Sequence, residues 1–143
     1  MRPTQNVLVV EDDRPTHALF VALVRRCGFE ASSAFDGPSA LSHIREEKPD
    51  AIILDLILPT MNGFQILSEV RRFAPEMLSA VVVVTAAAES LYRECIELES
   101  VRAIMRKPFD VDQLEEILRR MLSQPAPLPR KMRAGGAMRL KIG

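Results

Sequence analysis

The stretch Ile52-Ile53-Leu54-Asp55 opens just after Pro49-Asp50 and runs into a turn, Leu56-Ile57-Leu58-Pro59 followed by Asn62-Gly63. An unbroken and partly β-branched apolar run of this kind reads as a strand buried on both faces, as in a parallel sheet. A carboxylate then stands at the carboxyl end of the run. That is where open α/β sheets place their ligands. The fold and the chemistry both turn on what Asp55 meets there.

The flanking sequence alternates in the same manner. Val7-Leu8-Val9-Val10 gives a first strand and ends in Glu11-Asp12-Asp13. Asp13 suits the N-cap of a helix and Pro15 its first turn. Phe20, Leu23, Val24 and Cys27 recur on one helical face before Gly28 stops it. Glu30 to Ala34 predicts a short strand, and Asp36-Gly37-Pro38 is turn chemistry. A second helix follows over residues 39–47, with Ala40, Leu41 and Ile44 inward.

Beyond Asp55 a third helix is predicted from Gly63 to Phe73, with Ile66, Val70 and Phe73 on its inner face and Pro75 barring continuation. Ala80 to Thr85 is the most β-prone segment of the chain. Ala86 to Leu98 predicts a fourth helix with a weak apolar stripe. Val101 to Met105 predicts a fifth strand, ended by Lys107-Pro108. Asp110 opens a fifth helix, in which Leu114, Ile117, Leu118 and Met121 fall on one face. Five strand-helix alternations with short loops demand right-handed crossovers and a parallel sheet covered on both sides. The expected fold is α/β: a doubly wound five-stranded parallel sheet of order 2-1-3-4-5, flavodoxin-like.

The chain has 143 residues, with 19 basic and 19 acidic side chains. The balance hides an asymmetry. Residues 123–143 carry Arg130, Lys131, Arg133, Arg139 and Lys141 and no acid, so residues 1–122 hold 14 bases against 19 acids, a net charge of −5. One domain is expected over 1–122. A tail over 123–143, proline-rich then basic, is expected to be flexible. The acidic body argues against a nucleic-acid partner. Cys27 and Cys95 lack metal-type spacing and read as two buried thiols of a reducing compartment. His17 and His43 read as surface or half-buried helix residues. No apolar run is long enough to span a membrane, and Glu11, Asp12 and Asp13 interrupt any signal-peptide core, so a cytoplasmic location is expected.

In the expected strand order, strands 1, 3, 4 and 5 end side by side. Strand 1 offers Glu11 and Asp12, strand 3 Asp55, strand 4 Thr85 and strand 5 Lys107. Three clustered carboxylates repel one another in a cleft, and a hard divalent cation relieves that repulsion. Magnesium takes oxygen ligands and keeps several waters, leaving room for phosphate oxygens. A carboxylate can serve as nucleophile and become an aspartyl-phosphate. A hydroxyl and an ammonium can bind the remaining phosphoryl oxygens. Glu11 and Asp12, neighbours at one strand end, read as the metal pair. Asp55, alone on the central strand, reads as the acceptor.

Those residues resemble the receiver domain of bacterial two-component response regulators. The resemblance rests on Glu11-Asp12-Asp13 after strand 1, and on Leu54-Asp55 with Pro59 and Gly63 following. Thr85-Ala86 after strand 4 and Lys107-Pro108-Phe109 after strand 5 complete it. It covers about residues 5–122. It implies a switch in which Asp55 accepts a phosphoryl group from a phosphohistidine on a sensor histidine kinase or a His phosphotransfer protein. It implies Mg2+ held directly by Asp12 and Asp55, through water by Glu11, and by the backbone carbonyl of Ile57. It further implies that Lys107 pairs with the Asp55 carboxylate and then with the phosphoryl group, that its bond to Pro108 is cis, and that Thr85 moves toward the phosphoryl group. The output would then be a shifted helix 4, strand 5 and helix 5 face, read by an effector protein or a second copy of the chain. The sequence departs from the family where an aromatic residue commonly stands three positions before Lys107: here it is Ile104.

Two other classes of function compete. A haloacid-dehalogenase-type phosphohydrolase would need a second Asp two residues after the first, and Ile57 stands there, so no enzyme is expected. A phosphorylation-independent interaction module would keep the fold without using Asp55. Partner binding unchanged in Asp55→Ala would mark it.

Overall fold

The computed structural model describes residues 4–123. Its strands are β1 (Asn6–Val10), β2 (Glu30–Ala34), β3 (Ala51–Leu54), β4 (Val81–Thr85) and β5 (Ala103–Arg106). Its helices are α1 (Arg14–Arg26), α2 (Gly37–Glu47), α3 (Gly63–Phe73), α4 (Glu89–Tyr92) and α5 (Val111–Ser123). All strand pairs are parallel, in the order β2-β1-β3-β4-β5. The expected doubly wound fold is therefore the observed one. Residues 124–143, nearly all of the expected tail, lie outside the described residues.

Every residue of β3 and β4 is buried, which is why those segments read as continuous apolar runs. Side chains alternate between two cores along each strand. Leu8, Val10, Ile52, Leu54, Val81 and Val83 face α2 and α3. Val7, Val9, Ile53, Val82 and Val84 face α1 and α5. The register pairs Val10 with Leu54 and Leu54 with Val83, so the carboxyl ends of β1 and β3 come level and β4 runs two residues further, to Thr85.

Helix starts follow local chemistry. The Asp13 side chain caps α1 by accepting from the Thr16 amide. Asp36 caps α2, which opens at Gly37, two residues before the expected start. Asn62 and Gln65 close a reciprocal capping box at α3.

Three expectations require correction. The fourth helix, expected over 86–98, has only the four residues of α4 as α-helix, followed by a 3-10 turn at Ile96–Glu99. The buried residues explain the break. Tyr92 and Leu98 are buried and half-buried Cys95 packs with them, and these three recur every third residue. That is the 3-10 period; a continuous α-helix would have turned Glu99 inward in place of Leu98. Ala88 also supplies no side-chain cap. Second, Phe73 is exposed, not inward. Leu67 and Ala74 take the inner face with Ile66 and Val70, and the Arg45 guanidinium lies 4.7 Å above the Phe73 ring. Third, Cys95 is only half-buried, whereas Cys27 is buried as expected.

Gly63 lets α3 approach the end of β3. A Cβ there would lie 2.6 Å from Leu56 Cα and 2.7 Å from the Asp55 carbonyl oxygen, both backbone atoms that cannot move aside. Gly63→Ala is expected to lower the unfolding free energy by about 2 kcal/mol through this overpacking. Urea denaturation of the two proteins measures the loss.

Candidate functional site

The strand ends bring together four of the five side chains expected there. Glu11 follows β1 directly and Asp55 follows β3, and the Asp55 amide continues the ladder by donating to the Val10 carbonyl at 3.1 Å. Glu11 and Asp55 are 1% and 5% exposed, so both carboxylates have left water and need charged or donor partners. Asp12 lies on the solvent side. Carboxylate oxygens of Glu11, Asp12 and Asp55 fall within 4.8 Å of one another.

Lys107 answers the two buried acids. Its Nζ donates to Glu11 Oε1 at 2.6 Å and to Asp55 Oδ2 at 2.9 Å. The strand 5 end is set by the Lys107 amide, which bonds to the Thr85 carbonyl at 2.9 Å, and the Lys107-Pro108 bond is cis. The other oxygens are also claimed: Asp13 N–H donates to Glu11 Oε2 at 3.1 Å and Ile57 N–H to Asp55 Oδ1 at 3.0 Å. The Asp12 carboxylate, in contrast, accepts no hydrogen bond among the described residues, and neither does the Ile57 carbonyl. The carboxylates of Glu11, Asp12 and Asp55, converging with Asp12 on the solvent side, form a set that fits a magnesium ion.

Burial is the largest influence on Glu11 and pushes its carboxyl above the ordinary 4.5, with the neighbouring Asp55 charge acting in the same direction and Lys107 against it. Burial acts to lower the Lys107 value, but the two carboxylates together outweigh it and hold the ammonium above its ordinary 10.5.

Thr85 sits at the expected strand end. It is fully buried, and its hydroxyl accepts from the Ala87 amide at 3.1 Å instead of touching Asp55. Ile104 is buried at the position where an aromatic residue is common, beside a pocket of about 120 Å³ lined by Tyr92, Cys95 and Leu98.

Sequence reasoning missed His17, expected at or near the surface. It is buried, with Nδ1 at 2.9 Å from the Glu11 carbonyl oxygen and Nε2 at 2.7 Å from Ser33 Oγ. Its position held a signal. Side chains on a helix lean toward its N-terminus, so a residue in the first turn after the Asp13 cap reaches back over the acidic loop.

The fold and the constellation together define a class. The chain matches the response regulator receiver domain family over residues 7–119, and it belongs to that family. Among solved structures it is similar to the receiver domain of a sensor histidine kinase from Pseudomonas aeruginosa, which has magnesium coordinated in its active site cleft. That likeness has 26% identity and a TM-score of 0.74, covering 85% of this chain and 100% of that one. A sensor protein from Polaromonas is also 26% identical, with a TM-score of 0.74 over 85% of this chain and 98% of its own. The receiver domain of a Francisella response regulator is 25% identical, with a TM-score of 0.71 over 82% and 96%.

The raised Glu11 value makes stability depend on pH with a definite sign. A carboxyl whose folded value is raised contributes stability that is fully present below 4.5 and lost as pH rises through the folded value. Lys107 keeps its contribution through that window, since its own loss begins only above 10.5. In chelator-containing buffer, the stability of the wild type minus that of Glu11→Gln is expected to fall as pH is raised from 4 toward 8. The fall is on the order of 1 kcal/mol, the scale on which a perturbed carboxyl acts. Urea titrations across that range measure the difference.

Proposed function

We propose that this chain is the phosphoryl-accepting switch of a His-to-Asp phosphorelay, with Asp55 as acceptor. The observation that supports it most is the placing of Asp55: buried, one oxygen held by a backbone amide and the other by an ammonium, with an uncommitted acid beside it. The donor is a phosphohistidine on a sensor histidine kinase or a His phosphotransfer protein, in the cytoplasm. The chain acts on its own aspartate and turns over no free substrate.

In the transfer, an Asp55 carboxylate oxygen bonds to phosphorus as the bond from phosphorus to the donor imidazole nitrogen breaks. The electron pair leaves with the imidazole, which takes up a proton. Magnesium held at these carboxylates would supply neutralisation of charge on the phosphoryl oxygens. As the family resemblance implies, Asp12 would be the direct side-chain ligand beside Asp55, and Glu11 would act mainly through water. Asp12 is exposed and accepts no hydrogen bond among the described residues, whereas Lys107 and the Asp13 amide engage Glu11. The Ile57 carbonyl supplies a further ligand. Lys107 moves from the shared acid pair to a phosphoryl oxygen.

Readout passes through Thr85. Its hydroxyl leaves the Ala87 amide for a phosphoryl oxygen, and the segment from Ala87 to Leu98 repacks with β5 and α5. That face is then recognised by an effector or a second copy of the chain.

Incubation with acetyl phosphate and magnesium is expected to add the mass of one phosphoryl group to the wild type and none to Asp55→Ala. A wild type that takes up no phosphoryl group from acetyl phosphate or a phosphorylated kinase overturns the proposal. Partner binding indifferent to Asp55→Ala points instead to the phosphorylation-independent module.

Thr85→Ala separates chemistry from readout. The adduct is expected to form, at a rate within about tenfold of wild type, as befits a group that is not the nucleophile. The amide NMR signals of Ala87 to Leu98 are expected to stay near their unphosphorylated positions. Signals that shift as in the wild type would remove Thr85 from the pathway.

A further inference from the structure

We infer that His17 is a positioning residue for the cation site, acting through the Glu11-Asp12 peptide. The inference rests on the magnesium site just proposed. A carbonyl oxygen can only accept, so the proton at the His17–Glu11 contact is on Nδ1. Nε2 then faces the Ser33 hydroxyl on β2. The ring is further fixed by stacking on Phe35, with centroids 4.2 Å apart, and Phe35 carries the Arg14 guanidinium 3.9 Å from its centroid. His17 is therefore held at both ring nitrogens and on one ring face, and it in turn holds one atom beside the site: the Glu11 carbonyl oxygen.

That atom matters because Asp12 is the next residue. A peptide is planar, so the direction of the Glu11 carbonyl sets the plane from which Asp12 departs. Every other polar group of Glu11 is also tied: its amide to the Ala34 carbonyl at 3.2 Å, its carboxylate to Lys107 and the Asp13 amide. Asp12 has no such ties, and its carboxylate accepts no hydrogen bond among the described residues. Its place beside Glu11 and Asp55 depends on the peptide before it. His17 holds that peptide down against β2, so Asp12 is aimed before any cation arrives. Groups that orient ligands in this way typically change metal affinity by roughly tenfold or more.

The two nitrogens can be tested separately, because the Asn amide nitrogen takes the place of Nδ1 and the Gln amide the place of Nε2. The chain has no Trp and one Tyr, so NMR is the suitable probe. Amide shifts of Asp12 and Ile57 are followed as MgCl2 is added to the unphosphorylated protein. His17→Gln, which keeps the Ser33 contact and loses the Glu11 donor, is expected to weaken magnesium binding about tenfold. His17→Asn, which keeps the Glu11 donor, and Ser33→Ala are expected to stay within about threefold of wild type, inside the ordinary spread of a side contact. Melting temperatures in chelator report folding independently. Equal loss of affinity in His17→Gln and His17→Asn, or none in His17→Gln, overturns the positioning role while the magnesium site stands. A wild type that binds no magnesium overturns the site and the inference together.

Discussion

One ammonium between two buried acids holds the end of this sheet together. Glu11 and Asp55 project from adjacent strands whose register makes them neighbours, and neither has water to dilute its charge. Lys107 bridges them from β5, two strands away from β3. The arrangement is stable enough to fold around, yet two charges short of neutral: three carboxylates face one cation. The site is thus poised for an added positive charge. Breaking such a pair by removing Lys107 leaves uncompensated buried charge, whereas adding a dication relieves the repulsion that remains.

The sheet exists to make that meeting possible. Continuous apolar strands allow helices on both faces, and the two cores are filled by alternate residues of the same strands. In β1, β3, β4 and β5 the polar groups are then left at the strand ends. Gly63 and the capping box at Asn62 bring α3 tight against the Asp55 turn, so the loop that carries Ile57 is held from behind. The site's rigidity comes from this packing and from backbone amides, both of which leave the Asp12 side free to accept a ligand.

Much of this was legible in the sequence because it is periodic or local. Strand runs, caps at Asp13 and the order of the strands follow from hydrophobic spacing and turn chemistry, and the strand order places Glu11, Asp12, Asp55 and Lys107 together. What escaped was set by tertiary partners. His17 read as a surface or half-buried helix residue because its two hydrogen-bond partners lie on other elements. Phe73 fits the inner face of α3 by spacing, but Leu67 and Ala74 fill that space first. The α4 region misled because a three-residue repeat of Tyr92, Cys95 and Leu98 reads as a weak α-helical stripe until the turn is seen to be 3-10.

The same region bears on how a change at Asp55 could travel. α1, α2, α3 and α5 each span at least eleven residues, and the first three are tied by side-chain caps. α4 has four residues and no side-chain cap, leaves Leu91 exposed, and lies beside a pocket lined by Tyr92, Leu98 and Ile104. Segments with few buried anchors open at lower free energy than the core they rest on. Thr85 grips the start of this segment through the Ala87 amide. A small displacement of that hydroxyl would therefore act on a weakly anchored element. Ile104 lines the same pocket with a branched aliphatic side chain, so no aromatic ring stands between β5 and this segment at that position.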